Sequence, residues 1–224
     1  MPVLLGDRQK TGEINITMNK RSIPTFEEEL QNGTLNHLSE GYRFDNLQFA
    51  NETCTRDLSE LEFHECQFDH VVFSSACKGT LYADAIFDHC EFSNMDFEES
   101  VFRRAQFNHC RLTGVDLSRS VFQDVEFREC EGRYASFSGS TFKQVLFERC
   151  VLAQTGFSSC KFTNTELHDN DFTEAEFVDT RLAGLDFSDS LFQGIMVSPE
   201  DLKGVTLNSD QAIMCVQLLG IRVK

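Results

Sequence analysis

The chain has 224 residues, 41% of them hydrophobic, and carries a formal net charge of −16 from 36 acidic and 20 basic side chains. That apolar content excludes a disordered chain, and the charge argues against a nucleic-acid ligand, whose phosphates require Lys and Arg. Twenty-two Phe against no Trp and three Tyr mean that one aromatic has been placed repeatedly in one kind of environment.

The amino terminus, MPVLLGDRQK, has too short an apolar run for a signal peptide, and no run of about 18 apolar residues occurs anywhere. The chain reads as cytoplasmic, with its nine Cys as reduced thiols rather than a disulfide framework. Residues 1–41 form a non-repeat segment. Within it EINITM, at 13–18, alternates like a strand, and PTFEEEL, at 24–30, reads as a short helix with Thr25 as cap and Glu28 completing a box.

From residue 42 a five-residue clock takes over and runs to 207. It begins in shifted phases, with Phe44 and Phe49, then Leu58, Phe63, Phe68 and Phe73, and the slips near 54–58 and 73–77 hint at bulges. From Tyr82 to Leu207 every fifth residue is Tyr, Phe, Leu or Val, Gly132 excepted. Two residues before each of these centres the side chain is almost always small, as in Ala85, Cys90, Ser100, Ala105 and Cys110. Neither the helical period of about 3.6 nor the strand period of about 2 fits. What fits is a coil that turns a corner every five residues, with centre and small residue both pointing inward.

Four such sides close a square coil of twenty residues, and the return of Cys90, Cys110, Cys130 and Cys150 at twenty-residue intervals gives the same number. Stacked ~4.8 Å apart, the parallel-strand spacing, the coils from 82 to 207 form a rod of roughly 31 Å. Phe87, Phe107, Phe127, Phe147, Leu167 and Phe187 make one interior ladder. Gly132 leaves a ring-sized gap, for which neighbouring Tyr134 is the expected compensation.

FNHC, at 107–110, sets a His beside a Cys and raises the question of a metal or thiol site. In this coil Cys110 points inward and His109 outward, so they do not converge as zinc ligands must, and Cys110 reads as a small buried hydrophobe. No Ser–His–acid combination, phosphate loop or HExxH motif occurs, so neither catalysis nor a cofactor or metal is expected.

The clock also sorts charge by side, taking as outward the residue before each centre and the two after it. The side through Phe87 carries Asp88, Glu126, Glu129, Glu148, Glu166, Asp169, Asp186 and Asp189 against Arg128 and Arg149, eight minus two, a net of −6. The opposite side, through Phe97, carries Asp96, Glu98, Glu99, Asp116, Glu176 and Asp179 against Arg119, a net of −5. Between them Glu91, Glu131, Asp171 and Glu174 face Arg111 and Arg133, a net of −2. On the fourth side Arg103, Arg104, Lys143, Lys161, Arg181 and Lys203 outnumber Asp124 and Asp201. Acid wraps three sides and spares one.

Residues 208–224 read as a capping helix and tail. Asn208 opens a box with Gln211, and Ala212, Ile213, Val216 and Leu219 make an apolar stripe that Gly220 ends. An open coil end exposes strand edges and rings that a partner can cover, so a homodimer joined through Ile213, Val216, Leu219 and Ile221 is expected.

The units ADAIF, AIFDH, AQFNH, VDLSR, TELHD and AEFVD resemble the A(D/N)LXX repeat of the pentapeptide-repeat proteins over about residues 42–207. The resemblance implies an all-β, right-handed quadrilateral β-helix with a short C-terminal helix. The tail, DLKGVTLNSDQAIMCVQLLGIRVK, is similar to the ending of Qnr-type and MfpA-type proteins, which protect DNA gyrase from quinolones with acidic rods that imitate duplex DNA. In those proteins a C-terminal helix joins two subunits end to end. The unbroken frame from 82 to 207 departs from loop-bearing Qnr members and is closer to MfpA.

What the resemblance implies is a non-enzymatic, DNA-mimicking protein that binds bacterial DNA gyrase, or topoisomerase IV, and protects it from quinolone-type inhibitors. The expected contact is the acid of the last coils: Glu166, Asp169, Asp171, Glu174, Glu176, Asp179, Asp186 and Asp189. The alternative is an acidic β-helical scaffold for another basic protein, without a gyrase role.

Overall fold

Backbone chirality sets the corners. Two residues past most centres the chain turns left-handed, with φ of +53° at Asp84, +51° at His89, +59° at Asn94 and +60° at Glu99. Such a residue costs a non-glycine roughly 1–2 kcal/mol, and bonds between coils offset it. The N–H of His89 donates to Asn108 O and that of Glu99 to Ser118 O, both at 2.9 Å. Gly114 takes one of these corners at φ +66°, where a Cβ would lie 2.5 Å from Asn94 Oδ1.

The computed structural model describes residues 21–38, 40–218 and 221–222. Short strands β1 (Gln31–Asn32), β2 (Arg43–Asp45), β3 (Leu47–Ala50) and β4 (Thr53–Cys54) lead into β5 (Glu62–Asp69) and β6 (Val72–Phe73). Then come β7 (Leu81–Asp88), β8 (Val101–Asn108), β9 (Val121–Arg128), β10 (Thr141–Glu148), β11 (Lys161–Thr163) and β12 (Glu166–His168). The α-helix α1 (Ser209–Leu218) follows. Every pairing is parallel, and the molecule is a quadrilateral β-solenoid of about seven turns.

From β7 onward the register is twenty: Phe87 faces Phe107, which faces Phe127. Interior rings therefore repeat at the strand spacing. Phe87–Phe107 and Phe107–Phe127 centroids are 4.7 Å apart, and Tyr82–Phe102 and Phe102–Phe122 are 5.2 Å apart. Adjacent ladders meet edge to face, as at Phe102–Phe107, 5.3 Å and 65°. Both arrangements suit the ring quadrupole.

Three local expectations are corrected. The early phase slips are not bulges: Phe44 pairs with Phe63 and Phe63 with Tyr82, nineteen residues apart, so each of those coils has one residue fewer rather than one more. Tyr134 does not compensate for Gly132, since it is 61% exposed. Instead Leu152 fills in, its Cδ2 lying 3.0 Å from where a Gly132 Cβ would be.

The third correction is at 24–30, where the structure has no helix. Residues 21–30 run as a strap along one corner of the rod: Ser22 N–H donates to Asp124 (3.1 Å), Thr25 N–H to Asp84 (3.4 Å) and Glu27 N–H to Glu65 (2.9 Å). Among the described residues the sheet begins at β1, which pairs with β3, and Leu35 is already buried in the core. The strand expected at 13–18 lies outside the described residues.

Candidate functional site

Solenoid geometry places side chains from successive coils side by side, so the outward positions form walls. Along the first coils carboxylates meet arginines one coil away or on the same coil. Arg104 pairs with Asp84, Arg119 with Glu98 and Glu99, Arg128 with Glu126 and Glu148, and Arg149 with Glu129 and Glu148.

Arg21, from the strap, adds a guanidinium over Glu126 (3.2 Å) and Glu166 (3.4 Å). Burial raises the pKa of the Glu126 carboxyl, but hydrogen bonds from Arg128, Arg21 and Gln106 outweigh it and leave the group below its ordinary value. The strap thus covers part of the acidic wall, a contact with no local signal in the chain because Arg21 and Glu126 are 105 positions apart.

Toward the C-terminal end this compensation thins to two arginine contacts among the described residues. Glu166, Asp169, Asp186 and Asp189 stand on one side, Asp171 and Glu174 on the next, and Glu176 and Asp179 on the third. Glu166 has Arg21, and Asp171 has Arg133 at 3.9 Å. The other six are exposed, and among the described residues none has a Lys or Arg within ion-pair distance. Asp186 is held below the usual carboxylate range by the hydroxyl and amide of Ser188. On the fourth side Arg103, Lys143, Lys161 and Arg181 are exposed and likewise lack carboxylate partners among the described residues.

The rod's end is closed by α1. Asn208 N–H donates to Gln211 Oε1 (2.8 Å) and Gln211 N–H to Asn208 Oδ1 (3.0 Å), the reciprocal capping box. The Gln211 side chain is buried, and its Nε2 donates to Phe187 O (2.7 Å) and Ser190 O (2.8 Å), carbonyls that a further coil would otherwise have satisfied. Cys215 packs on the core while Ile213 is 45% exposed and Ile221 is 53% exposed. Val216 is half-buried, and Leu219 lies outside the described residues.

His109 is outside and Cys110 inside, and among the described residues no group of His, Cys, Asp and Glu is arranged to hold a metal. The small residues before the centres carry a role that size alone did not reveal. Cys110 Sγ donates to Phe87 O (3.5 Å), Ser120 Oγ to Phe97 O (3.2 Å) and Thr180 Oγ1 to Phe157 O (2.6 Å). Burial pushes the Cys66 and Cys160 thiols up to about 12, so they act as neutral donors. No helix among the described residues is long and apolar enough to cross a membrane.

A filled, square β-solenoid whose chemistry lies on its outer walls is the class these features define. The chain belongs to the pentapeptide repeat family: the model for the pentapeptide repeat region matches residues 80–150 and 140–212. Among solved structures it is similar to trypsin-treated QnrB1, a plasmid-mediated fluoroquinolone resistance protein, at 24% identity over 86% of this chain and 95% of that one, with a TM-score of 0.43. It is also similar to HetL, a pentapeptide repeat protein involved in heterocyst differentiation regulation from the cyanobacterium Nostoc, at 14% identity over 73% and 86% of the two chains, TM-score 0.34. No curated protein matches the chain.

Proposed function

We propose that the protein binds bacterial DNA gyrase, or the related topoisomerase IV, in the cytoplasm as a DNA mimic and protects it from quinolone-type inhibitors. The observation that carries this reading is the set of six exposed carboxylates, spread over three sides of the C-terminal coils, that have no Lys or Arg within ion-pair distance among the described residues. Carboxylates held at fixed spacing on a stiff rod offer a basic groove the potential of a phosphate backbone. With no Lys or Arg of the described residues beside them, little of that potential is cancelled within the chain.

Joining two rods through the exposed face of α1 and Ile221 would place both acidic sets at the centre of a dimer twice as long. The action is by binding, with no chemical step. The test is supercoiling by purified gyrase with and without a quinolone while this protein is titrated in. Restored supercoiling is expected; no effect at any ratio would leave the acidic rod as a scaffold for a different basic protein.

A further inference from the structure

Among the described residues, coil-to-coil backbone bonding is interrupted on two adjoining sides of the C-terminal coils. β10 pairs with β11 and β12 in regular register on two adjoining sides. The next step, from residues 161–180 to 181–200, keeps its bonds on the other two sides. There Leu191 N–H donates to Asn170 O (2.8 Å), Glu174 N–H to Gln193 O (2.7 Å) and Phe177 N–H to Met196 O (2.7 Å).

On the sides of β11 and β12, no backbone hydrogen bond among the described residues joins 161–169 to 181–189. The equivalents of Lys161 N–H to Ser140 O (3.0 Å) and Arg149 N–H to His168 O (2.8 Å), from Arg181 and Asp169, are missing. Residues 182–187 do pair with the following coil, as in Leu182 N–H to Asp201 O (2.9 Å) and Phe187 N–H to Thr206 O (3.0 Å). Two strand edges therefore face each other across a cleft of about 580 Å³.

The lining fits a strand-like occupant. Phe162, Leu167 and Leu185 give it an apolar floor. Phe162 is only half-buried, whereas Phe102, Phe122 and Phe142 above it in the same ladder are fully covered. Thr165 stands where the coils before it have Ala85, Ala105, Val125 and Val145, and its buried Oγ1 has no hydrogen-bond partner. At the mouth are Glu166, Asp186 and Asp189, with His168 between Glu166 (3.8 Å) and Asp189 (3.5 Å).

We propose that this cleft is a binding site for an extended, Lys- or Arg-bearing segment of a partner protein, which adds as a strand between β12 and residues 182–187. Main-chain groups of both edges would take up the segment's amides and carbonyls, apolar side chains on one face would rest on Phe162 and Leu185, and the cationic side chains on the other would meet the carboxylates at the mouth. Charge complementarity selects the partner: among the described residues the one Lys or Arg within ion-pair distance of these carboxylates is Arg21, at the rim on Glu166. The site does not depend on gyrase being the partner, so its test stands whatever the supercoiling assay returns.

The test uses the full chain and a fluorescein-labelled peptide of alternating lysine and valine, followed by fluorescence polarisation and by amide hydrogen exchange. Saturable binding is expected, with exchange slowed in 161–169 and 181–189 and unchanged in 121–148. The same peptide N-methylated at alternate residues, lacking half its donors, should fail to bind. Glu166→Gln with Asp189→Asn should weaken the parent peptide about tenfold. Absence of saturation, or equal binding of the N-methylated peptide, would overturn the proposal. So would slow exchange at the seam before any peptide is added, which would mean that the chain itself fills the cleft.

Discussion

The hydroxyl of Ser120, fully buried, works as donor and acceptor at once: it donates to Phe97 O (3.2 Å) and accepts from Ser100 N–H (3.1 Å). Ser120→Ala leaves Ser100 N–H and Phe97 O with their own longer bond of 3.3 Å and removes the better partner of each, which should cost about 1 kcal/mol, read as a lowered thermal midpoint. Ser120→Cys, which installs the donor used at Cys110, should cost less. Gly132 gives the opposite lesson. Restoring the aromatic that the ladder calls for, Gly132→Phe, should destabilise by about 1–3 kcal/mol, because Leu152 already occupies the space and has nowhere to retreat. The same melting measurement decides it, and a raised midpoint would contradict the packing. The five-residue period was legible because every centre meets the same neighbours, so repetition itself reports the environment. Partners were not legible in this way. A small residue shows its size in the sequence, but only the structure shows that Cys110, Ser120 and Thr180 all donate to a carbonyl of the coil before.

At the scale of elements, the strap shows why a local signal can mislead. Thr25 and Glu28 have the spacing of a capping box, yet the amides such a helix would have used at 25 and 27 donate to Asp84 and Glu65. Tertiary partners far away in the chain override local preference. The box at Asn208 and Gln211 forms as its spacing predicts, and the Gln211 side chain also caps the carbonyls of Phe187 and Ser190. The strap's grip should depend on pH through Glu126. Its folded pKa lies below the ordinary value of 4.5, so its contribution is fully present above that value and is lost as pH falls through the folded pKa. Hydrogen exchange at Ser22 and Thr25 is therefore expected to be slow at neutral pH. After correction for the intrinsic rate it should speed up below about pH 4, while Phe107 and Phe127 in the core stay protected. Loosening of the strap on raising the pH instead would contradict the linkage.

Over the whole molecule, burial and charge are separated by construction: the rings set the rod's stiffness, and the walls are free to vary. Charge on the walls can thus be removed without touching the fold. Asp169, Glu174, Glu176 and Asp179 are exposed and lack basic partners among the described residues, so Asn or Gln at all four should leave the thermal midpoint nearly unchanged or slightly raised, through relief of mutual repulsion. If these groups imitate phosphates, affinity for gyrase should fall steeply in the same variant. The deficit should be largest at low ionic strength, where the screening length is about 30 Å, and small near 1 M salt, where it is about 3 Å. The measurement is a titration of immobilised gyrase with the parent chain and the fourfold variant across that salt range. Parallel salt dependences for the two proteins would mean that these carboxylates do not face the enzyme, and would point instead to the basic wall of Arg103, Lys143, Lys161 and Arg181, which likewise lack carboxylate partners among the described residues.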